Sequence, residues 1–150
     1  MRYFCLLTLS AVLLGSASLV QDESPASEKD AVAAVIESSY ITPLYLRGDL
    51  DKIAEGLHPE FRMYYLHDDA VAIRLRDTWI ERLRERRDLT APTSPPEWTW
   101  SFPIIDVTGT TAMVKLELDR DGKRAYTDYL TLYRFEDGWR VMTKLFTAHD

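Results

Sequence analysis

Hydrophobic and polar residues alternate through two long runs near the C-terminus, on either side of Asp137-Gly138. A period of two predicts β-strands, and an Asp-Gly pair between two such runs predicts a tight hairpin. Similar turn signals occur at Thr108-Gly109 and Asp121-Gly122. The C-terminal part of the chain is therefore predicted to form four consecutive strands: Trp98–Val107, Thr111–Arg120, Lys123–Glu136 and Trp139–His149.

In the N-terminal half the spacing of apolar residues becomes that of a helix. Val32, Ile36, Tyr40 and Leu44 recur every four residues, which places them on one face of a helix. Pro43 lies within this stretch, and a proline removes a helical hydrogen bond. We therefore expect the first helix to begin at about residue 30 and to kink or restart at Pro43.

Two shorter helices and a hairpin follow the first helix. Asp49 and Asp77 each precede an amphipathic stretch and are suitable N-cap residues for the second and third helices. Between these helices, aromatic and β-branched residues flank Asp68-Asp69, a pattern that predicts a two-stranded hairpin. The order of elements is thus helix, helix, hairpin, helix and four strands.

The hairpin register decides which side chains share a face of the sheet. Counting outward from Asp137-Gly138 places Thr131 opposite Lys144 and puts Tyr129 and Phe146 on the same face as Lys144. A lysine on an apolar face is unusual because burying its ammonium group costs free energy. Lys144 is therefore the leading candidate for a functional residue.

The opposite face of the predicted sheet is also apolar. Three modest helices can cover only one face, and soluble monomers avoid large exposed apolar patches. We therefore expect a homodimer through the second face, and expect the substitution Leu132→Glu to dissociate it. Pro103 is expected to mark a β-bulge in the first of the four strands. The predicted dimer face consists of Trp100, Phe102, Ile104, Leu130, Leu132 and Val141.

Composition limits the range of functions. The chain has 150 residues and a formal net charge of −6, which argues against binding to nucleic acid.

Residues 1–18 combine Arg2, an apolar run and small residues, the pattern of a cleavable signal peptide. We expect export to the periplasm or the exterior, with no membrane association after cleavage; a retained membrane anchor is the alternative. Cys5 is the only cysteine, so the mature chain would contain no disulfide.

The sequence is thus divided into three segments. Residues 1–18 are the expected signal peptide, residues 19–29 a polar flexible lead-in, and residues 30–150 a single domain.

The order of elements resembles the nuclear transport factor 2-like superfamily, and most closely its bacterial lumazine-binding group. The likeness is carried by the motifs HPEF at His58–Phe61, YTDYLTLYR at Tyr126–Arg134 and GWRVMTKLF at Gly138–Phe146, together with Tyr40 and Gly48-Asp49. The resemblance implies an α+β fold in which three N-terminal helices wrap around a strongly bent, mostly antiparallel sheet. It also implies a conical pocket between helices and sheet, and often a homodimer. Pro43 departs from the expected pattern of the first helix.

Candidate ligand-binding residues come from the predicted pocket. Lys144 could present a cation to a ligand, or it could form a structural ion pair with a carboxylate from a helix. The aromatic side chains could stack on a flat ligand or simply fill the core. The predicted ligand-binding residues are Tyr40, Tyr64, Trp79, Tyr129, Thr131 and Lys144.

Two residues are weaker candidates for catalysis. The ideal register pairs Asp128 with Lys115 on the far face, but a bulge would shift Asp128 into the pocket, where it could act as a base. His58 lies at a predicted helix end, where an imidazole can also satisfy free carbonyl groups. No metal-ligand set, phosphate loop or nucleophilic triad is visible in the sequence.

Three functions remain open. The first is a cofactor-free domain that binds a small, flat, largely apolar ligand, with Lys144 near a polar group of that ligand. The second is a cofactor-free enzyme of the isomerase or dehydratase kind. It would transfer a proton through Lys144, or through Asp128 if a bulge shifts that residue into the pocket. The third is a non-catalytic, homodimerising interaction module. An open pocket favours the first two, and an inward carboxylate near Lys144 favours the enzyme.

Overall fold

The computed structural model describes residues 27–46, 48–89 and 94–150. The expected signal peptide, and residues 19–26 of the expected lead-in, lie outside these ranges. No helix of the described residues is long and apolar enough to cross a membrane.

The first predicted helix is a single rod built from three segments. These are α1 (Glu28–Ile36), a π-helical turn (Glu37–Ile41) and α2 (Thr42–Tyr45). The rod begins at Glu28 because the Ser27 side chain caps it and Asp30 completes a capping box. The predicted restart at Pro43 is confirmed, since the proline lies in the first turn of α2, where its missing N–H is tolerated.

Two further helices and six strands complete the fold of the described residues. Their order confirms the predicted succession of elements. They are α3 (Asp51–Gly56), β1 (Leu57–His67), β2 (Ala70–Leu75), α4 (Arg76–Leu89), β3 (Trp98–Thr108), β4 (Thr111–Arg120), β5 (Lys123–Phe135) and β6 (Gly138–Ala148).

The strands form one curved, open sheet in the order β2-β1-β6-β5-β4-β3. All neighbouring strands are antiparallel except β1 and β6, which run parallel. The helices pack on one side of this sheet, which we call the inner face. The predicted α+β architecture of three helices on a bent, mostly antiparallel sheet is therefore confirmed.

Three single-residue bulges interrupt the antiparallel ladders. One lies between Ser101 and Ile104, which confirms the bulge predicted at Pro103. The others leave Ala125 of β5 and Met142 of β6 without a direct partner. Because side chains alternate along a strand, each bulge exchanges the inner and outer faces for the residues beyond it.

The core lies between the helices and the inner face. The predicted helical stripe of Val32, Ile36 and Tyr40 is completely buried. Strands β4 and β5 supply the facing layer, whose residues are at most 2% exposed: Ala112, Val114, Leu116, Leu118, Leu130 and Leu132.

Candidate functional site

Three polar side chains meet inside this core. Asp128 Oδ2 accepts hydrogen bonds from Lys144 Nζ at 2.8 Å and from the Tyr40 hydroxyl at 2.5 Å. Lys144 Nζ also donates to the Tyr40 hydroxyl oxygen, which closes a triangle of contacts. Asp128 and Tyr40 are fully buried and Lys144 is 3% exposed. We call these three residues the buried triad.

The bulges explain how the triad forms. In the structure Phe135 pairs with Gly138, and beyond Met142 the register places Leu130, not Thr131, opposite Lys144. The predicted pairing of Thr131 with Lys144 was therefore wrong. The tight turn comes earlier than the Asp-Gly pair suggested, and the extra residue then reverses the faces of the rest of β6.

A second bulge acts on Asp128 in the same way. Beyond Ala125 the register pairs Asp128 with Leu116, so the carboxylate points to the inner face. The predicted ion pair between Asp128 and Lys115 was wrong, and Lys115 instead contacts Glu117 at 2.7 Å. The alternative in which a bulge moves Asp128 inward is the one that the structure shows.

The third member of the triad comes from the helical rod. Tyr40 lies within the π-helical turn, a local widening that often occurs at functional sites. Its ring packs against Trp79 of α4 with the centroids 6.0 Å apart. The rod therefore delivers a hydroxyl group to the sheet at the point where Lys144 and Asp128 meet.

Burial controls the protonation of the triad. Loss of solvent lowers the pKa of Lys144, and the negative charge of Asp128 opposes this shift only in part. Burial also raises the pKa of Tyr40 well above its usual value, and the charge of Asp128 adds to the effect. Tyr40 thus remains a neutral hydroxyl group that can donate to the carboxylate.

Aromatic rings surround the ammonium group. Lys144 Nζ lies 4.7 Å from the centroid of Phe146, 5.0 Å from that of Tyr40 and 5.9 Å from that of Trp79. Contacts of this length are in the range of cation–π attraction, which is stronger away from water. The rings therefore offset part of the cost of burying the cation.

A cavity of about 260 Å³ is lined by Lys144 of the triad. We call it the inner pocket. The described residues that line it include the cations Arg74, Arg86 and Lys144 but no aspartate or glutamate. The remaining lining residues are apolar or aromatic: Leu44, Tyr45, Met63, Trp79, Leu83, Tyr126 and Phe146.

The register explains why Arg74 and Lys144 line the same pocket. Arg74 pairs with Met63, and Met63 pairs in turn with Lys144, so the three form one row across β2, β1 and β6. Arg74 donates to the Tyr65 hydroxyl at 3.3 Å, and its guanidinium group lies 5.0 Å from the centre of that ring. No described carboxylate forms an ion pair with Arg74.

The structure brings together half of the predicted ligand-binding residues. Trp79 and Lys144 line the inner pocket, and Tyr40 contacts Lys144 in the buried triad. The other three lie on the outer face, away from Lys144. Tyr64 and Tyr129 both pair with Leu145, and Tyr129 is 46% exposed. The Thr131 hydroxyl contacts that of Thr143 at 2.7 Å.

His58 lies apart from the triad. It is a residue of β1, where its Nδ1 accepts a hydrogen bond from the Glu60 amide at 3.1 Å and its ring stacks on Phe135. It does not line the inner pocket. These contacts give His58 a local structural role and no contact with the candidate site.

Sequence reasoning missed several residues of the inner pocket, notably Arg74, Tyr45 and Tyr126. The signal for Tyr126 was present, because Tyr126, Asp128 and Leu130 alternate along β5 and therefore share a face. Arg74 could have been found from the hairpin register, which sets it opposite Met63. The hairpin register is regular and follows from the turn at Asp68-Asp69, whereas the face that Tyr126 shares with Asp128 depends on the bulge at Ala125.

The predicted dimer face was also wrong in its composition. Leu130, Leu132 and Val141 are buried on the inner face, and the Trp100 indole donates to Glu37 at 2.9 Å. The sheet nevertheless presents an apolar outer face that no described helix covers. Its large exposed residues include Ile104, Met113, Tyr129, Tyr133 and Leu145.

Comparison with known proteins agrees with this architecture. The chain is similar to a nuclear transport factor 2 (NTF2)-like protein of unknown function from Silicibacter pomeroyi, with 22% identity and a TM-score of 0.61 over 79% of this chain and 93% of that one. A counterpart from Shewanella baltica has 17% identity and a TM-score of 0.63 over 80% and 92% of the two chains. One from Methylobacillus flagellatus has 16% identity and a TM-score of 0.62 over 85% and 97%.

These likenesses show the fold alone, because the identities are low. No curated protein sequence matches the chain significantly. A family model described as "Putative lumazine-binding" matches residues 27–147, from the N-cap of α1 to the last residue but one of β6. The chain therefore belongs to this family, and its fold is NTF2-like.

Proposed function

We propose that the protein binds a small, flat, largely apolar molecule in the inner pocket, with a carbonyl or anionic oxygen of the ligand facing Lys144. The proposal rests on the hydrogen bonds of the Lys144 ammonium group. It has three hydrogens, of which Asp128 and Tyr40 each take one. Because Lys144 also lines the pocket, the third hydrogen is available to an acceptor on a ligand.

The rest of the pocket fits the same chemistry. Trp79, Tyr126 and Phe146 provide flat apolar walls, and Arg74 adds a positive charge at the lining. A cavity of about 260 Å³ holds a molecule of one or two rings. The family description supports a flat heterocycle, and lumazine itself is a natural first probe.

The binding experiment uses two probes, lumazine and 2-naphthoate, and follows the quenching of tryptophan fluorescence. The Arg74→Gln substitution should weaken binding of 2-naphthoate by about 1.5–3 kcal/mol, since it removes a charged hydrogen bond. Arg62→Gln is the matched control, because Arg62 is an exposed residue of β1 that pairs with Leu75 away from the pocket. Failure of both probes to bind at millimolar concentration would refute the proposal.

A second candidate, a cofactor-free isomerase or dehydratase, is favoured by one observation. Asp128 is an inward carboxylate 2.8 Å from Lys144, and its Oδ1 accepts no hydrogen bond from any described residue. A carboxylate with a free acceptor atom can take a proton from a bound substrate. The test is deuterium uptake from D₂O into a carbon next to the carbonyl of a bound ketone. Uptake by the wild type that Asp128→Asn abolishes would favour the enzyme.

Export and assembly are further parts of the proposal. We expect the native protein to begin after residue 18, because residues 1–18 have the pattern of a signal peptide. N-terminal sequencing of protein from the producing cell decides this, and a start at Met1 would contradict cleavage.

We also expect a homodimer through the apolar outer face, which sedimentation at micromolar concentration would detect.

A further inference from the structure

We infer that Lys144 forms an imine with an aldehyde or ketone group of the ligand, so that the inner pocket traps carbonyl compounds covalently. This inference rests on the proposed binding function and adds to it a ligand class and a chemical step. It is carried by the position of one amine in an aromatic pocket, in contact with two groups that can move its proton.

The triad has the arrangement that amine chemistry requires. Lys144 Nζ lines the inner pocket, so a carbonyl carbon of a bound ligand can reach it. Asp128 lies 2.8 Å from Nζ and can accept the proton that must leave before the nitrogen can attack. The Tyr40 hydroxyl contacts both groups and can relay a proton between them.

The reaction balances without an oxidant or a reductant. The Lys144 ammonium gives a proton to the Asp128 carboxylate, and the free amine adds its lone pair to the carbonyl carbon. A carbon–nitrogen bond forms, the carbonyl π electrons move to oxygen, and a proton passes from nitrogen to that oxygen. Asp128 then returns its proton to the new hydroxyl group, which leaves as water. The products are a protonated imine on Lys144, one water molecule and a regenerated carboxylate.

Two other lysines of the described residues provide an internal comparison. Lys52 and Lys115 form ion pairs with Glu55 and Glu117, and the hydrogen bonds that they donate to these carboxylates raise their pKa. Burial has the opposite effect on Lys144, whose pKa it lowers. Lys144 therefore gives up its proton more readily than Lys52 or Lys115. It also lines the inner pocket, whereas Lys123 lines a separate cavity of about 300 Å³.

The test treats the protein with 2-naphthaldehyde and sodium cyanoborohydride, which reduces imines to stable amines, and maps the labelled lysines by peptide mass spectrometry. We expect Lys144 to acquire one naphthylmethyl group about tenfold faster than Lys52 or Lys115. Lys52→Arg should leave the labelling of Lys144 unchanged. In Lys144→Arg, which keeps a cation near Asp128, the fast labelling should be lost.

A second probe separates failure of the inference from failure of the binding proposal. The compound 2-naphthylmethanol has the same ring system but no carbonyl group, so it can bind without reacting. It should quench tryptophan fluorescence and slow the labelling of Lys144 in the wild type. Quenching by 2-naphthylmethanol with no adduct at Lys144 would overturn the imine alone. If lumazine, 2-naphthoate and the alcohol all fail to bind and Lys144 is not labelled, both proposals fail.

Discussion

Asp128 and Lys144 form a buried ion pair although the turns of the sequence predict that they lie on opposite faces of the sheet. Asp128 pairs with Phe146 and Leu130 pairs with Lys144, so the two charged residues are diagonal neighbours on the inner face of β5 and β6. The carboxylate comes from the neighbouring strand. The structural ion pair considered in the sequence analysis had its carboxylate on a helix. The relationship depends on the single extra residues Ala125 and Met142.

Removal of the Lys144 charge should destabilise the fold. A ligand-binding lysine without a protein partner would have tolerated Lys144→Met, but the structure shows a fully buried carboxylate that the substitution would leave unpaired. We expect the free energy of unfolding to fall by about 3–5 kcal/mol. Urea denaturation of the two proteins measures the difference. Lys52→Met, at an exposed surface pair, should change stability by less than about 1 kcal/mol.

A double substitution tests whether the loss comes from the stranded carboxylate. Replacement of both partners by apolar residues, in Asp128→Leu/Lys144→Met, should recover most of the stability lost in Lys144→Met, because a buried ion pair often adds little net free energy. A double variant that is less stable than Lys144→Met would contradict this account. Stability alone no longer separates a structural role of Lys144 from a ligand-binding role, so the two roles must be distinguished by binding and labelling.

Tyr40 should make stability sensitive to alkaline pH. Its folded-state pKa is raised above 10.0, so the folded protein holds this proton more tightly than the unfolded chain does. The resulting stability is complete below pH 10 and is lost as the pH rises toward the folded pKa. Lys144 acts in the opposite sense, since its lowered pKa makes stability rise with pH between its folded value and 10.5.

Comparison with Tyr40→Phe isolates the tyrosine. Both proteins retain Lys144 and Tyr45. Burial raises the pKa of Tyr45, and its hydrogen bond with Tyr40, which the variant removes, opposes that shift. The variant should be less stable at pH 8, because it loses two hydrogen bonds, but its thermal midpoint should fall less steeply above pH 10. Parallel midpoint curves for the two proteins from pH 8 to pH 11 would show that Tyr40 does not control the alkaline transition.

The sequence predicted the elements of this fold well and the faces of the sheet poorly, for a physical reason. Strand and helix positions follow from periodicity, which each segment carries within itself. A bulge depends on how two strands fit together, and neither Ala125 nor Met142 has a distinctive local sequence. Pro103 could be recognised in advance because a proline cannot donate to the ladder. The earlier turn and one unrecognised extra residue in β6 together moved Thr131 away from Lys144 and Leu130 toward it.

A close contact between two helical segments gives an independent test of the packing that supports Tyr40. A Cβ atom added at Gly56 of α3 would lie 2.1 Å from the Cβ of Ser39, the residue before Tyr40. Gly56→Ala should therefore push the two segments apart and cost about 1–3 kcal/mol in a thermal or urea unfolding experiment. Ser39→Gly/Gly56→Ala removes the facing Cβ and should be more stable than Gly56→Ala with Ser39 intact. An unchanged midpoint in Gly56→Ala would mean that the segments are not packed this closely.

Two leucine substitutions distinguish the inner face from the outer face. The sequence analysis expected Leu132→Glu to dissociate a dimer, but Leu132 is 1% exposed beneath the helices, so a glutamate there should unfold the protein. Leu145 is 52% exposed on the outer face, and Leu145→Glu should change the free energy of unfolding of a monomer by no more than about 0.5 kcal/mol. If copies of the chain associate through this face, the same charge would be buried in an apolar interface. Sedimentation should then show the wild type as a dimer and Leu145→Glu as a folded monomer. A Leu145→Glu protein that remains dimeric would exclude the outer face at this position from the interface, and a folded Leu132→Glu protein would contradict the register of β5.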